Sequence, residues 1–297
     1  MGMEKAKNQK DILSEQQEKN PIEYIEAKTP EWDFNNIILD SKITQQINEV
    51  LLLIEHNKKI YIEWGLSEID KSNGRNSSIS FYGPPGTGKS ISAEAIASQL
   101  NKNIIKVNYA DIESKYVGDT PKNITKIFNK AKETDSILFF DEADSILGKR
   151  LSNISSATDT SVNLTRSVML MQLDDFEGIV IFATNFYKNY DKAFIRRIFA
   201  HIEFVKPSIE ALRKIWKLYL PTKLPLDKDV TIDILAELSQ DLTAADIKNI
   251  VIKSAVRTLV LNNELVKLQT IAELIDELKK ANSDSNLAYM PETKIRK

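Results

Sequence analysis

Residues 83–90 read GPPGTGKS, between the apolar run ISFY at 79–82 and the helical stretch SISAEAIASQL at 90–100. The spacing Gly-x-x-x-x-Gly-Lys-Ser, after a strand and before a helix, confines this chain more than any other stretch does. Glycines let successive backbone N–H groups turn toward one anion, and the helix N-terminus behind them adds the positive end of its dipole. The chain has only 9 glycines, and three of them fall at this spacing. A merely connecting turn explains that poorly. Lys89 is expected to reach the β- and γ-phosphates of a nucleotide, and the Ser90 hydroxyl to ligate Mg²⁺. Gly83, Pro84, Pro85, Gly86, Thr87, Gly88 and Ile91 complete the expected nucleotide-binding stretch.

The surrounding pattern is that of an α/β protein. ISFY is followed by IIKVNY at 104–109, SILFF at 136–140, IVIFA at 179–183 and HIEFV at 201–205, with helical stretches between. Nearly continuous apolar strands alternating with helices predict a parallel sheet covered on both faces. In the helix before SILFF, Ile124, Ile127, Phe128 and Ala131 share one face, and Pro121 is expected at its first position. After Lys206-Pro207 the strands stop, and helical patterns run at about 208–220, 231–240, 243–261 and 268–280. These signals divide the chain into a polar N-terminal arm at 1–30, a large three-layer α/β domain at 31–206, a small helical domain at 207–281 and a polar tail at 282–297.

Two more strand ends carry chemistry. ILFFDEAD delivers Asp141 and Glu142 at the carboxyl end of an apolar strand. There Asp141 can hold Mg²⁺ through water while Glu142 faces an attacking water as general base. IVIFATN places Asn185 at the end of another strand, where its amide could orient water against a γ-phosphate. Composition removes rival readings. There is no cysteine, so disulfides and thiolate metal sites are excluded. The two histidines, His56 and His201, form no H-E-x-x-H zinc site. No N-K-x-D stretch is present, which favours ATP over GTP. A net charge of −2 and a pI near 5.9 give no global basic field for nucleic acid. Apolar runs such as VLLLI and SILFF are about a quarter of the length a membrane-spanning helix needs, so a cytoplasmic protein without membrane insertion is expected.

GPPGTGKS, DEAD and ATN, in this order, resemble the AAA+ ATPases and, more narrowly, the AAA subfamily of protein-remodelling ATPases. With SKYVGDTPKNI, DEADSILGKR, LMQLDDFEGIVIFATN and DKAFIRRIFAHIEF, the chain is similar to single-module bacterial AAA proteins from about Trp32 to Lys280. The resemblance implies a five-stranded sheet of order 5-1-4-3-2, a helical lid domain, and ATP held with Mg²⁺ between the two. It implies that Ile37 and Ile38 pack against adenine, although the family's usual glycines are here Ile38-Leu39. Thr243-Ala244-Ala245 stand where the family has Ser-Gly-Ala, so Ala244 and Ala245 would approach the adenosine at the start of a helix capped by Thr243 and Asp246.

In AFIRR, the resemblance makes Arg196 and Arg197 candidate arginine fingers that reach a neighbouring subunit's nucleotide, where a guanidinium would stabilise γ-phosphoryl charge. Many members separate the two arginines by a glycine; here they are adjacent. A finger acting in trans requires an oligomer, and the family implies a ring of six. In such a ring the loop SKYVGDTP would face the channel, with Tyr116 and Val117 gripping a polypeptide and Gly118 giving the bend. The expected function is a Mg-ATP-driven ring that remodels or threads protein, with the substrate chosen by the N-terminal arm, the pore, or a separately encoded partner such as an adaptor or peptidase. Two alternatives stay open: a nucleotide-gated scaffold that switches a partner, and an AAA+ motor or loader on nucleic acid. Lys115 beside Tyr116 leaves the loop ambiguous between peptide and phosphate backbone, while the acidic pI leans toward protein.

Overall fold

A computed structural model describes residues 25–69, 77–108, 112, 119–148, 157–185 and 190–288. Five strands form one parallel sheet: β1 (Ser77–Tyr82), β2 (Ile104–Asn108), β3 (Ile137–Asp141), β4 (Ile179–Thr184) and β5 (Ala200–Glu203). Their order is β2-β3-β4-β1-β5, which is the expected 5-1-4-3-2 read from the other edge. In the β2–β3 ladder Ile104 stands opposite Ile137 and Asn108 opposite Asp141; in the next ladder Phe140 stands opposite Phe182. The interiors ILFF of β3 and IVIFA of β4 are apolar and buried throughout, as a parallel sheet covered on both faces requires, whereas β2 exposes Lys106 and β1 buries Ser78 and Ser80.

The helices are α1 (Ser41–Glu55), α2 (Lys89–Gln99), α3 (Asp119–Glu133), α4 (Asp144–Leu147), α5 (Ala157–Asp175), α6 (Lys192–Ile195), α7 (Ile209–Tyr219), α8 (Ile232–Leu238), α9 (Ala244–Val260) and α10 (Leu268–Ala288). A π-helical turn at Lys59–Glu63 and a 3₁₀ turn at Leu66–Glu68 follow α1. The face of α3 predicted from spacing is the buried one: Ile124, Ile127, Phe128 and Ala131 are all sequestered. Pro121 is not the first residue of that helix, which begins two residues earlier at Asp119. The shift costs nothing in hydrogen bonding, because N–H groups of the whole first turn lack intrahelical acceptors.

Two compact units can be distinguished, and the chain passes between them repeatedly. One comprises 1–31, 57–80 and 97–201; the other comprises 32–56, 81–96 and 202–297. The core of the first gathers Ile105, Val107, Phe128, Leu138, Phe140, Leu173, Val180 and Phe182, with Phe128 edge-on to Phe176 at 5.2 Å and Phe140 stacked on Phe182 at 5.4 Å. Ile25 belongs to this core, and Lys28 pairs with Ile104 in an isolated antiparallel bridge. The helical core of the second surrounds Trp216, whose indole N–H donates to Ser239 Oγ at 2.8 Å, among Leu212, Ile215, Leu235, Ile250 and Ile275. No helix among the described residues is long and apolar enough to cross a membrane.

Candidate functional site

Within the second unit, the glycine-rich loop has a backbone that other residues could not supply. Gly83, Gly86 and Gly88 have φ of +137°, +75° and +102°, conformations that a side chain penalises. Space is equally restrictive. A Cβ on Gly83 would fall 1.9 Å from the Phe204 carbonyl oxygen, and one on Gly86 would fall 2.7 Å from Thr243 Oγ1. Lys89, only 8% exposed, folds over the loop and donates to Gly83 O at 2.7 Å and Pro84 O at 2.8 Å. Thr87 Oγ1 donates to the same Pro84 carbonyl at 2.8 Å. The ammonium is thus drawn to the loop by its own carbonyls, while Pro84, Pro85 and Gly86 remain exposed. Ser90 and Ile91, both half-buried, lie in the first turn of α2.

The residues expected to flank a nucleotide border this loop from two sides. A Cβ at Gly88 would lie 3.2 Å from Ile37 Cδ1 and 3.7 Å from Leu39 Cδ2. Ile38 packs onto the helical core, with Ala244. Ala245 N–H approaches Gly86 O at 3.4 Å. The start of α9 is fixed by the reciprocal cap read from the sequence: Asp246 N–H donates to Thr243 Oγ1 at 3.3 Å, and Thr243 N–H donates to Asp246 Oδ2 at 2.8 Å. Ile37, Ile38, Ala244, Ala245 and the 83–91 stretch therefore belong to one unit.

In the first unit, β3 ends at Asp141, half-buried, and the chain turns at Glu142, exposed, with φ +49°. Glu142 N–H donates to Asp141 Oδ1 at 2.9 Å, and Ala143 N–H donates to Ala183 O at 2.9 Å. These bonds hold the acidic turn to the end of β4, whose next residues are Thr184 and Asn185. Thr184 Oγ1 donates to Asp144 Oδ1. The last letter of DEAD thus ties the acidic turn to the strand end that carries the exposed Asn185. The sequence showed no such role for Asp144.

Arg196 and Arg197 follow α6, a short helix capped by Asp191, whose Oδ1 accepts from Ala193 N–H at 2.9 Å. Both arginines are exposed, yet their surroundings differ. Arg197 forms a two-pronged pair with Asp174, Nε to Oδ1 at 2.7 Å and Nη2 to Oδ2 at 2.9 Å, and donates through Nη1 to Ala193 O at 3.2 Å. The hydrogen bond to Asp174, aided by its charge, raises the Arg197 guanidinium above its ordinary value. The Arg196 side chain has no hydrogen-bond or ion-pair partner among the described residues. Sequence reasoning missed Asp174; the doubled Asp174-Asp175 before Phe176 was the available signal. Tyr116, Val117 and Gly118 lie outside the described residues.

Comparison with known proteins accords with this geometry. Residues 79–206 match the family model for the ATPase family associated with various cellular activities (AAA). The chain is 29% identical over 251 residues to the proteasome-activating nucleotidase of Sulfurisphaera tokodaii, covering 81% of this chain and 62% of that protein. It is 34% identical over 221 residues to the 26S proteasome regulatory subunit 4 homolog of Schizosaccharomyces pombe, covering 72% and 47%. With the proteasome-activating nucleotidase of Methanosarcina mazei it shares 32% identity over 224 residues, covering 72% and 53%. The chain spans about half to three-fifths of the length of these relatives. They are archaeal and eukaryotic, so the narrower likeness to bacterial proteins is not carried further. The glycine loop, the acidic strand end and the matched family together place this chain in the AAA+ superfamily, with an AAA ATPase domain.

Proposed function

We propose that this chain hydrolyses ATP and uses the energy to unfold or thread polypeptide as a subunit of a ring. The conformation of residues 83–90 carries the nucleotide part of the reading: three left-handed glycines, a helix N-terminus behind them, and a sequestered lysine at the loop. The residues fit a Mg²⁺-nucleotide by their chemistry, since a serine hydroxyl and an aspartate carboxylate are the hard oxygen donors Mg²⁺ prefers. Ser90 and Asp141 would hold the ion, which would supply positive charge against that of the phosphates. Lys89 would bind the β- and γ-phosphates, and Ile37, Ile38, Ala244 and Ala245 the adenosine. Glu142 would accept the proton of the water that attacks the γ-phosphorus as the bond to the β–γ bridging oxygen breaks. Asn185 would orient that water.

Arg196 would serve as the finger toward a neighbouring subunit's phosphate. Arg197, anchored by Asp174, would act beside it as the lesser of the two. A ring of six, Tyr116 and Val117 as its peptide grip, a lid formed by 207–281, and a separately encoded peptidase or adaptor in the cytoplasm complete the proposal. The proteasome-associated names of the relatives support a polypeptide substrate over nucleic acid. Glu142→Gln tests it: the variant should bind ATP and hydrolyse about 10²–10⁴-fold more slowly, and should retain trapped polypeptide identifiable by mass spectrometry. Turnover near the parent rate would refute Glu142 as base, and recovery of nucleic acid alone would refute the substrate class.

A further inference from the structure

Asp40 stands at the N-cap position of α1, with the extended backbone of a capping residue, yet its side chain makes no bond to that helix. Aspartate at an N-cap ordinarily accepts from the first turn. Here the carboxylate is directed elsewhere. Ser208 Oγ donates to Asp40 Oδ1 at 2.6 Å, and Ser208 N–H approaches Oδ2 at 3.4 Å. Ser208 is itself the N-cap of α7, accepting from Ala211 N–H at 3.3 Å. One chain of hydrogen bonds therefore runs from the 37–40 segment into the first helix after Pro207.

The position of that segment gives the bond its meaning. Ile37 and Leu39 border Gly88 of the phosphate loop, while Ile38 packs onto the helical core. The far side of the loop, at Gly86, is bordered by Thr243 and Ala245 of α9. Residues 37–39 have no strand or helix of their own to fix them; apolar contacts set their depth and the Asp40–Ser208 bond sets their anchorage.

We propose that Asp40 is a positioning residue for ATP: its bond to Ser208 latches the 37–39 segment against the phosphate loop and so preorganises the adenine side of the site. The proposal rests on the nucleotide-binding reading above. A segment already held in place gives up less freedom when ligand arrives, so the latch strengthens binding without touching the reaction. Losing it weakens ground state and transition state equally, which raises KM and leaves kcat alone.

The test uses the full chain and a fluorescent ATP analogue. Asp40→Ala removes the latch without uncapping either helix. It should raise the Kd and the KM for ATP by roughly three- to tenfold, the span of one ordinary net hydrogen bond in a solvent-accessible place. The kcat should stay within about twofold. Ser208→Asp retains a good cap for α7 but sets two carboxylates against each other, and should weaken binding similarly. Asp40→Asn combined with Ser208→Asp should restore affinity, because the amide N–H₂ can donate to the new carboxylate. Unchanged Kd in both single variants, failure of the pair to restore it, or a loss confined to kcat would each overturn the latch. Lys89→Ala separates the two levels. If it binds nucleotide as the parent does, the nucleotide reading itself fails; if it loses binding while Asp40→Ala does not, only the latch fails.

Discussion

Replacing Gly83 by alanine should cost far more than replacing another glycine of positive φ. A Cβ there would lie 1.9 Å from Phe204 O and 2.9 Å from Phe204 C. The obstacle is backbone, so no rotamer change relieves it; the end of β5 must retreat by about an ångström. Phe204 N–H donates to Tyr82 O at 2.7 Å, and the Phe204 ring lies 4.9 Å from that of Phe81. The retreat forfeits roughly 0.5–1.5 kcal/mol from the hydrogen bond and a similar amount from the aromatic pair. Forcing a side chain to φ +137° adds about 1–3 kcal/mol. The expected loss is about 2–6 kcal/mol. Gly65 is the control, with φ +77° and nothing nearer its Cβ position than Glu68 Oε1 at 3.9 Å; alanine there should cost only about 1 kcal/mol. Urea unfolding followed by tryptophan fluorescence separates the cases, because Trp216 is fully buried in the same unit as Gly83, whereas Trp32 and Trp64 are already exposed. Equal losses in the two variants would refute the steric argument.

Two further outcomes follow from the geometry around β5. Arg196→Ala should lower assembled ATPase turnover by about 10³–10⁵-fold, with mixed assemblies regaining activity wherever the parent chain supplies the finger; Arg197→Ala should lower it less, and equal losses would contradict the distinction drawn from the Asp174 pair. Burial lowers the His201 pKa below its ordinary 6.5, against a smaller opposing effect of the Ile195 carbonyl. A depressed folded-state pKa means that the unfolded chain takes up the proton first, so the associated stability is complete above about pH 6.5 and declines as pH falls toward the folded value. His201→Gln should flatten that part of the stability curve in urea titrations at successive pH values; an unchanged slope would refute the assignment.

The elements legible in the sequence are those governed by short-range rules. The run of parallel strands, the buried face of α3 and the Thr243–Asp246 cap followed from alternation, spacing and one capping pattern, whereas the strand order came from the resemblance to the AAA+ family. The glycine loop was legible because its chemistry is contiguous, from Gly83 to Ser90. Partnerships between distant residues left no such trace. Asp40 meets Ser208 across 168 positions, and Arg197, just past α6, finds Asp174 on α5; neither pair is implied by local pattern. Composition likewise assigned residues 25–30 to a polar arm, since one isoleucine among charged neighbours is a weak core signal. Ile25 nevertheless lies in the core and Lys28 pairs with Ile104, interactions supplied by the sheet rather than by the segment.

In the catalytic role proposed for it, Glu142 sets durability against use. A glutamate at φ +49° occupies a region that asparagine and glycine enter at lower cost, a difference on the order of 1 kcal/mol. Its neighbours hold it there: Asp141 Oδ1 receives its N–H, and the next N–H is fastened to Ala183. The molecule would consequently be more robust with glycine at this position, yet without a carboxylate at the strand end. Selection for thermal hardiness alone would erode this residue early, and stabilised descendants of the chain would be expected to lose turnover before they lose the fold.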